Sequence, residues 1–226
     1  MNRKVFLAWI LTFVGGFTDA YTFMLYGNVF VAGQTGNIIF LAVNLINHQW
    51  FEGVLKITII LTFLIGMIFS AVWTKLMDKT HYWRVYSLVF ELLIMFLIGI
   101  IPKAVSVYFK LPLLAFAMAL QYCLYDQVNN YSYANVFTTA NLKKATLNLT
   151  AGILYKKTSQ LKSAILYYQL IACFIVGAIF GSFLSHILGI RAIVIPAGCI
   201  LMAIIYHVKK IRNKESIFNS YRQDRT

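Results

Sequence analysis

Acidic residues are scarce in this chain: seven Asp and Glu stand against twenty Lys and Arg in 226 residues. Charged residues of both signs make up only 12%, whereas soluble domains carry about a quarter. The three cysteines, Cys123, Cys173 and Cys199, are isolated in apolar runs, and no CxxC occurs. They read as small buried apolar residues and argue against a disulfide framework or a thiolate metal site. The four histidines show no HExxH spacing. Neither a metal nor another cofactor is expected. No Ser/His/Asp set and no acidic dyad on one helix is visible, so enzyme activity is not expected either.

What fills the chain instead is apolar: 60% of residues are hydrophobic, with a mean hydropathy of +0.73. Six runs reach the roughly 17–25 residues a membrane-crossing helix needs. They cover about 5–26, 54–77, 84–101, 110–128, 163–187 and 191–208. The expected class is therefore an all-α, polytopic membrane helix bundle. A single transmembrane domain, 1–208, would be followed by a basic tail, 209–226. The opening "MNRK" and "VFLAWILTFV" have the outline of a signal peptide. However, the apolar character continues past Gly15-Gly16 to Tyr26, which favours a retained first span.

The net charge is +13, and six of the basic residues, Lys209, Lys210, Arg212, Lys214, Arg222 and Arg225, directly follow the last apolar run. Basic residues flanking a span mark the cytoplasmic side and contact anionic lipid. No basic fold or motif accompanies the charge, so the lipid bilayer, not nucleic acid, is the expected partner. The expected location is the cytoplasmic membrane, with both termini cytoplasmic.

Two further segments, 29–47 and 135–154, are partly apolar but studded with Asn, Gln, Thr and Gly. If both crossed, the loops with Lys75, Lys79 and Arg84 and with Lys156, Lys157 and Lys162 would lie outside. If both re-enter, those loops lie inside, as the positive-inside tendency prefers. Lys103, Lys110 and Arg191 are then the basic residues left outside. That arrangement gives three crossings per half, and a repeat with an odd number of crossings is inverted. Three correspondences support a 3+3 inverted repeat, with pseudo-repeats at about 5–101 and 110–208. Tyr26-Gly-Asn-Val-Phe30 matches Tyr133-Ala-Asn-Val-Phe137, 107 residues apart. Phe63 to Ser70 matches Phe174 to Gly181, 111 apart, and Arg84 and Arg191 each open a final run. In this alignment Lys143-Lys144 falls on Gly36-Asn37, so the second copy lacks the Thr-Gly-Asn ending. The Gly66/Ser70 and Gly177/Gly181 pairs are small-xxx-small motifs for close helix packing. They suit an interface between halves or between protomers of a homo-oligomer.

The stretch "GGFTDAYTFMLYGNVFVAGQTGN", Gly15 to Asn37, resembles the opening motif of the DUF1275 family of bacterial membrane proteins, also called the YoaK family. "AMALQ", Ala117 to Gln121, and "FTT", Phe137 to Thr139, resemble its second motif in part: Tyr122-Cys123 replaces the usual Asn-Ala, and Leu142-Lys143 the usual Thr-Gly. The resemblance implies about six spans and names no activity.

Asp19, Glu91 and Asp126 lie within apolar runs, where a charge costs on the order of 2.5–3.5 kcal/mol at the bilayer centre. Two roles are open to Asp19: proton or ion relay and solute binding, or bonding to freed backbone amides. Glu91 is a second relay residue, expected to face the bundle interior. Asp126, beside Gln127, Asn129 and Asn130, reads as a solvated helix end. Backbone that leaves the helix inside a membrane needs partners. Asn28, Gln34, Thr35, Asn37, Asn135, Thr138, Thr139 and Asn141 can supply them, with Gly27, Gly33 and Gly36 easing the turn. A helix restarting near Thr35 or Gly36 would aim its positive end into the protein. Transporters build solute sites in this way. The expected binding set is Asp19, Asn28, Gln34, Thr35, Gly36, Asn37, Gln121, Thr138, Thr139 and Asn141, mostly from the first half. The expected function is a transporter or channel for a small polar or anionic solute. A non-transporting membrane scaffold or binding protein is the alternative.

Overall fold

Leu11, Val14, Phe17 and Tyr21 recur every three or four residues, the helical period, and all four are fully buried. They belong to α1 (Arg3–Leu25). In the computed structural model, which describes residues 3–77, 82–102 and 104–223, α1 is the central helix. Lys79, Lys103 and Arg225, used in the charge argument above, lie outside the described residues. Polar side chains on α1 bond their own helix: Thr12, Thr18 and Thr22 each donate to the carbonyl four residues back.

The chain continues through α2 (Gln34–Ile46), α3 (Trp50–Met77), α4 (Trp83–Ile100) and α5 (Val107–Leu124). Then come α6 (Thr139–Leu154), α7 (Thr158–Leu188), a 3₁₀ segment (Gly189–Ile193) and α8 (Val194–Gln223). The run expected over 110–128 ends early. Gln127–Val128 and Tyr131–Ser132 form a small antiparallel hairpin, with Gln127 opposite Ser132. Its turn, Asn129-Asn130, has positive φ at both residues, 49° and 67°. Asparagine tolerates that conformation better than most residues, and the primed hairpin turn requires it.

Among the described residues, five helical stretches are long and apolar enough to cross a membrane. The last, Thr158–Lys209, is a 52-residue run, about 78 Å at the helical rise. Gly189, at φ 56°, interrupts it between α7 and α8. The tail continues α8 without a break as far as Gln223. By contrast, α2 has 13 residues and α6 has 16. At about 20 and 24 Å, both fall short of a ~30 Å hydrocarbon core.

Packing follows a simple scheme. α1 lies against α7 and α8, and α5 lies against α3 and α4. α2 packs on α3, α6 on α7, and α4 on α8. The outer faces stay apolar: Leu61, Ile65 and Ile68 on α3, and Ile175, Ile179 and Phe183 on α7, are exposed. Such a continuous apolar surface suits lipid rather than water.

The closest approaches use glycine. A β-carbon on Gly177 would sit 2.1 Å from the Phe13 carbonyl oxygen, and one on Gly181 would sit 2.5 Å from that of Phe17. From the other side, a β-carbon on Gly16 would meet the Phe174 carbonyl oxygen at 2.2 Å. The Gly177/Gly181 motif is thus spent within the chain, between α1 and α7. Gly66 does the same for α3 against Phe116 and Ala119 of α5.

Candidate functional site

After Leu25 the chain leaves the helix for eight residues before α2 begins. The amides of Ala32 and Gly33, at the end of this stretch, have no helical partners, and Asp19 supplies them. One carboxyl oxygen accepts from Ala32 N at 2.8 Å, and the other from Gly33 N at 3.0 Å. Asn37, in the first turn of α2, closes the same loop. Its side-chain oxygen accepts from Phe30 N at 3.0 Å, and its amide donates to Phe30 O and to Gln34 Oε1. Gln34 in turn donates to Val31 O.

The second polar segment carries a matching clamp. Asn141 accepts from Ala134 N at 3.0 Å and donates to Ala134 O at 2.6 Å. In both clamps the asparagine grips the residue seven positions before it. The structural counterpart of Thr35-Gly36-Asn37 is therefore Thr139-Ala140-Asn141, 104 positions on. This corrects the sequence alignment: the Thr-x-Asn ending is present in the second segment, and Lys143-Lys144 does not fall on Gly36-Asn37. Asn28 and Asn135, paired by the sequence echo, differ in situation. Asn28 is exposed at φ 56°. Asn135 is fully buried, donating to Gln121 O at 3.0 Å and Tyr125 O at 2.9 Å.

The change from glycine to alanine has a steric reason. A β-carbon on Gly36 would lie 2.7 Å from the Phe30 ring; in the second segment the gripped residue is Ala134, which has no ring. Gly36→Ala is expected to destabilise the protein by about 1–2 kcal/mol through overpacking. Adding Phe30→Ala is expected to recover much of that loss, a coupling that a double-mutant cycle on thermal unfolding reads directly.

These two loops meet. A cavity of about 570 Å³ is lined by Asp19, Thr35 and Gly36 on one side and by Thr138, Thr139 and Lys143 on the other. Gln34 also faces it. Of the expected binding residues, Asn37, Asn141 and Gln121 stand behind the wall, fully buried, as its supports. Gln121 donates to Leu11 O at 3.2 Å, tying α5 to α1. Asn28 lies away from the cavity. The cavity draws on both segments, not mainly on the first. Lys143 and the rings of Phe30, Phe137 and Phe174 also line it. Sequence gave no signal for Phe30 and Phe174, since aromatic residues occur throughout the chain.

Glu91 is not part of this cavity. It is 1% exposed on α4, which packs on α5 and α8, and neither carboxyl oxygen has a hydrogen-bond partner among the described residues. Asp126 is exposed at the end of α5. Among the described residues no group of three His, Cys, Asp or Glu could hold a metal ion.

No curated protein and no solved structure matches the chain. A family model described as "protein of unknown function (DUF1275)" matches residues 7–206. With that match over most of its length, and with five apolar helical stretches of membrane-crossing size among the described residues, this chain is a membrane protein belonging to the DUF1275 family.

Proposed function

We propose that the chain is a transporter or channel for a small polar or anionic solute, with no enzymatic role, bound between the two broken segments. One observation carries this reading: the starts of α2 and α6, with Asp19, line one polar-edged cavity. Helix starts present unpaired amides and a positive dipole end. At α2 the Asp19 carboxyl already takes the amides of the approaching chain. Solute recognition then falls to Thr35, Thr138, Thr139 and Lys143, and the lysine favours a negatively charged group.

An inverted duplication supports the reading. Exchanging α1 with α5, α2 with α6, α3 with α7 and α4 with α8 maps the packing scheme onto itself. The α1–α7 contact becomes α5–α3, α2–α3 becomes α6–α7, and α1–α8 becomes α5–α4. The paired asparagine clamps obey the same exchange. On this view α7 and α8 cross separately, giving six spans, with α2 and α6 re-entrant and both termini on the cytoplasmic side of the bacterial inner membrane.

The test is a ligand screen by thermal stabilisation, followed by flux of each stabilising solute into proteoliposomes. Thr138→Trp, which fills the cavity, is expected to abolish flux while the protein still folds. Lys143→Ala is expected to weaken an anionic solute by about tenfold, equivalent to ~1.4 kcal/mol. No flux for any stabilising solute would leave the scaffold reading, which the purely structural bonds of Asp19 also favour.

A further inference from the structure

A second cavity, of about 610 Å³, adjoins the first. Ser70 and Thr74 of α3, Asp126 at the end of α5, and Lys144 of α6 line it. Ala140 belongs to the walls of both cavities. The neighbouring lysines divide between them, Lys143 to the first and Lys144 to the second. Lys144 is held there by the carbonyl and hydroxyl oxygens of Ser132, each at 2.7 Å.

Two rings join the cavity walls. Phe137 lines the first cavity and Tyr122 the second, with centroids 4.7 Å apart and planes at 62°. Phe63 of α3, itself buried, backs both rings at 6.3 and 6.4 Å. We propose that the Tyr122–Phe137 pair is the closed gate of one continuous route made by the two cavities, the second being its vestibule. The proposal rests on the transport reading above.

The local construction suits a gate. Phe137 stands on the non-helical stretch between the hairpin and α6, so its ring can swing without moving a helix. Its flanks are fixed: Asn135 is bonded to α5, and Asn141 holds Ala134 and reaches the Phe137 carbonyl. The barrier is side chain, not backbone. In the first segment the clamp correspondence places Gly33 where the second has Phe137, and there Phe30 packs against Gly33 and lines the first cavity.

Labelling tests this without any substrate. Cys123, Cys173 and Cys199 are replaced by serine, and a single reporter is added, Thr35→Cys in the first cavity or Thr74→Cys in the second. A membrane-impermeant maleimide is then applied to either face of oriented vesicles. With the rings intact, Thr74→Cys reacts from one face and Thr35→Cys stays at background from that face. Phe137→Ala is expected to raise Thr35→Cys labelling from that face to the level of the Thr74→Cys reporter. Tyr122→Ala reaches the same opening from the other ring, and Tyr122→Phe, which keeps the ring, leaves labelling at background. Sided labelling of Thr74→Cys in each variant shows that it has folded. Labelling unchanged in both alanine variants, or already present with the rings intact, overturns the gate. Flux with an unchanged labelling pattern refutes the gate and spares transport; opened labelling without flux does the reverse.

Discussion

Asp19→Ala is expected to lower the stability of the folded protein by about 2–4 kcal/mol, among the largest effects of any polar substitution in the chain. The residue accepts from two backbone amides that have no helical partners. An orphaned buried donor costs roughly 1–3 kcal/mol. Side-chain hydrogen bonds inside membranes average nearer ~0.6 kcal/mol, because the unfolded reference state also finds partners. The larger figure governs Ala32, which is fully buried. Its amide has no water to turn to. The Gly33 amide sits at the cavity wall, where water can replace the lost acceptor, so its share is smaller. Asp19→Asn keeps one acceptor oxygen but turns an NH₂ group toward the second amide. It should fall between wild type and alanine. Thermal or SDS unfolding of the purified protein reads the order directly; an Asp19→Ala midpoint equal to wild type would mean that the carboxyl does not hold the loop.

The membrane class and the two breaks were legible in the sequence for one physical reason. Hydrophobicity along a helix is a one-dimensional signal, and Asn, Thr and Gly inside an apolar run interrupt it visibly. The same holds for Asp19, whose carboxyl cannot be left bare among apolar neighbours. The register of the second segment was not legible. The echo of "YGNVF" in "YANVF" is an identity of letters whose asparagines do different work, one exposed and one buried. The match of the two clamps, Asn37 with Asn141, is carried by hydrogen bonds to the backbone and is masked by a glycine-to-alanine change. That change follows from the size of Phe30 against Ala134, a contact six residues back that only the folded loop brings together. The break between the last two helices was legible: the runs 163–187 and 191–208 already part at Gly189, whose positive φ separates α7 from α8.

Gly177→Ala should destabilise the protein by about 3 kcal/mol, the upper end of core overpacking, while Gly198→Ala should leave it equal or up to about 1 kcal/mol more stable. Both glycines lie inside long helices, so both substitutions gain the same helix-propensity term of roughly 1 kcal/mol. What differs is the space each β-carbon enters. At Gly198 nothing lies within 4 Å. At Gly177 the new atom would be 2.1 Å from the Phe13 carbonyl oxygen and 2.9 Å from its carbon. Backbone cannot swing aside as a side-chain tip does, so α1 and α7 must separate by an ångström or more. That separation loosens the Gly16 and Gly181 contacts along the same seam, and no hydrophobic drive in lipid restores them. The clash therefore outweighs the propensity gain. Moving α1 also shifts Asp19, one turn beyond Gly16, relative to the amides it holds. The cavity wall and the helix seam are thus coupled through α1, and Gly177→Ala is expected to weaken solute stabilisation along with the fold. A Gly177→Ala midpoint at or above that of Gly198→Ala would show that the two helices are not in backbone contact.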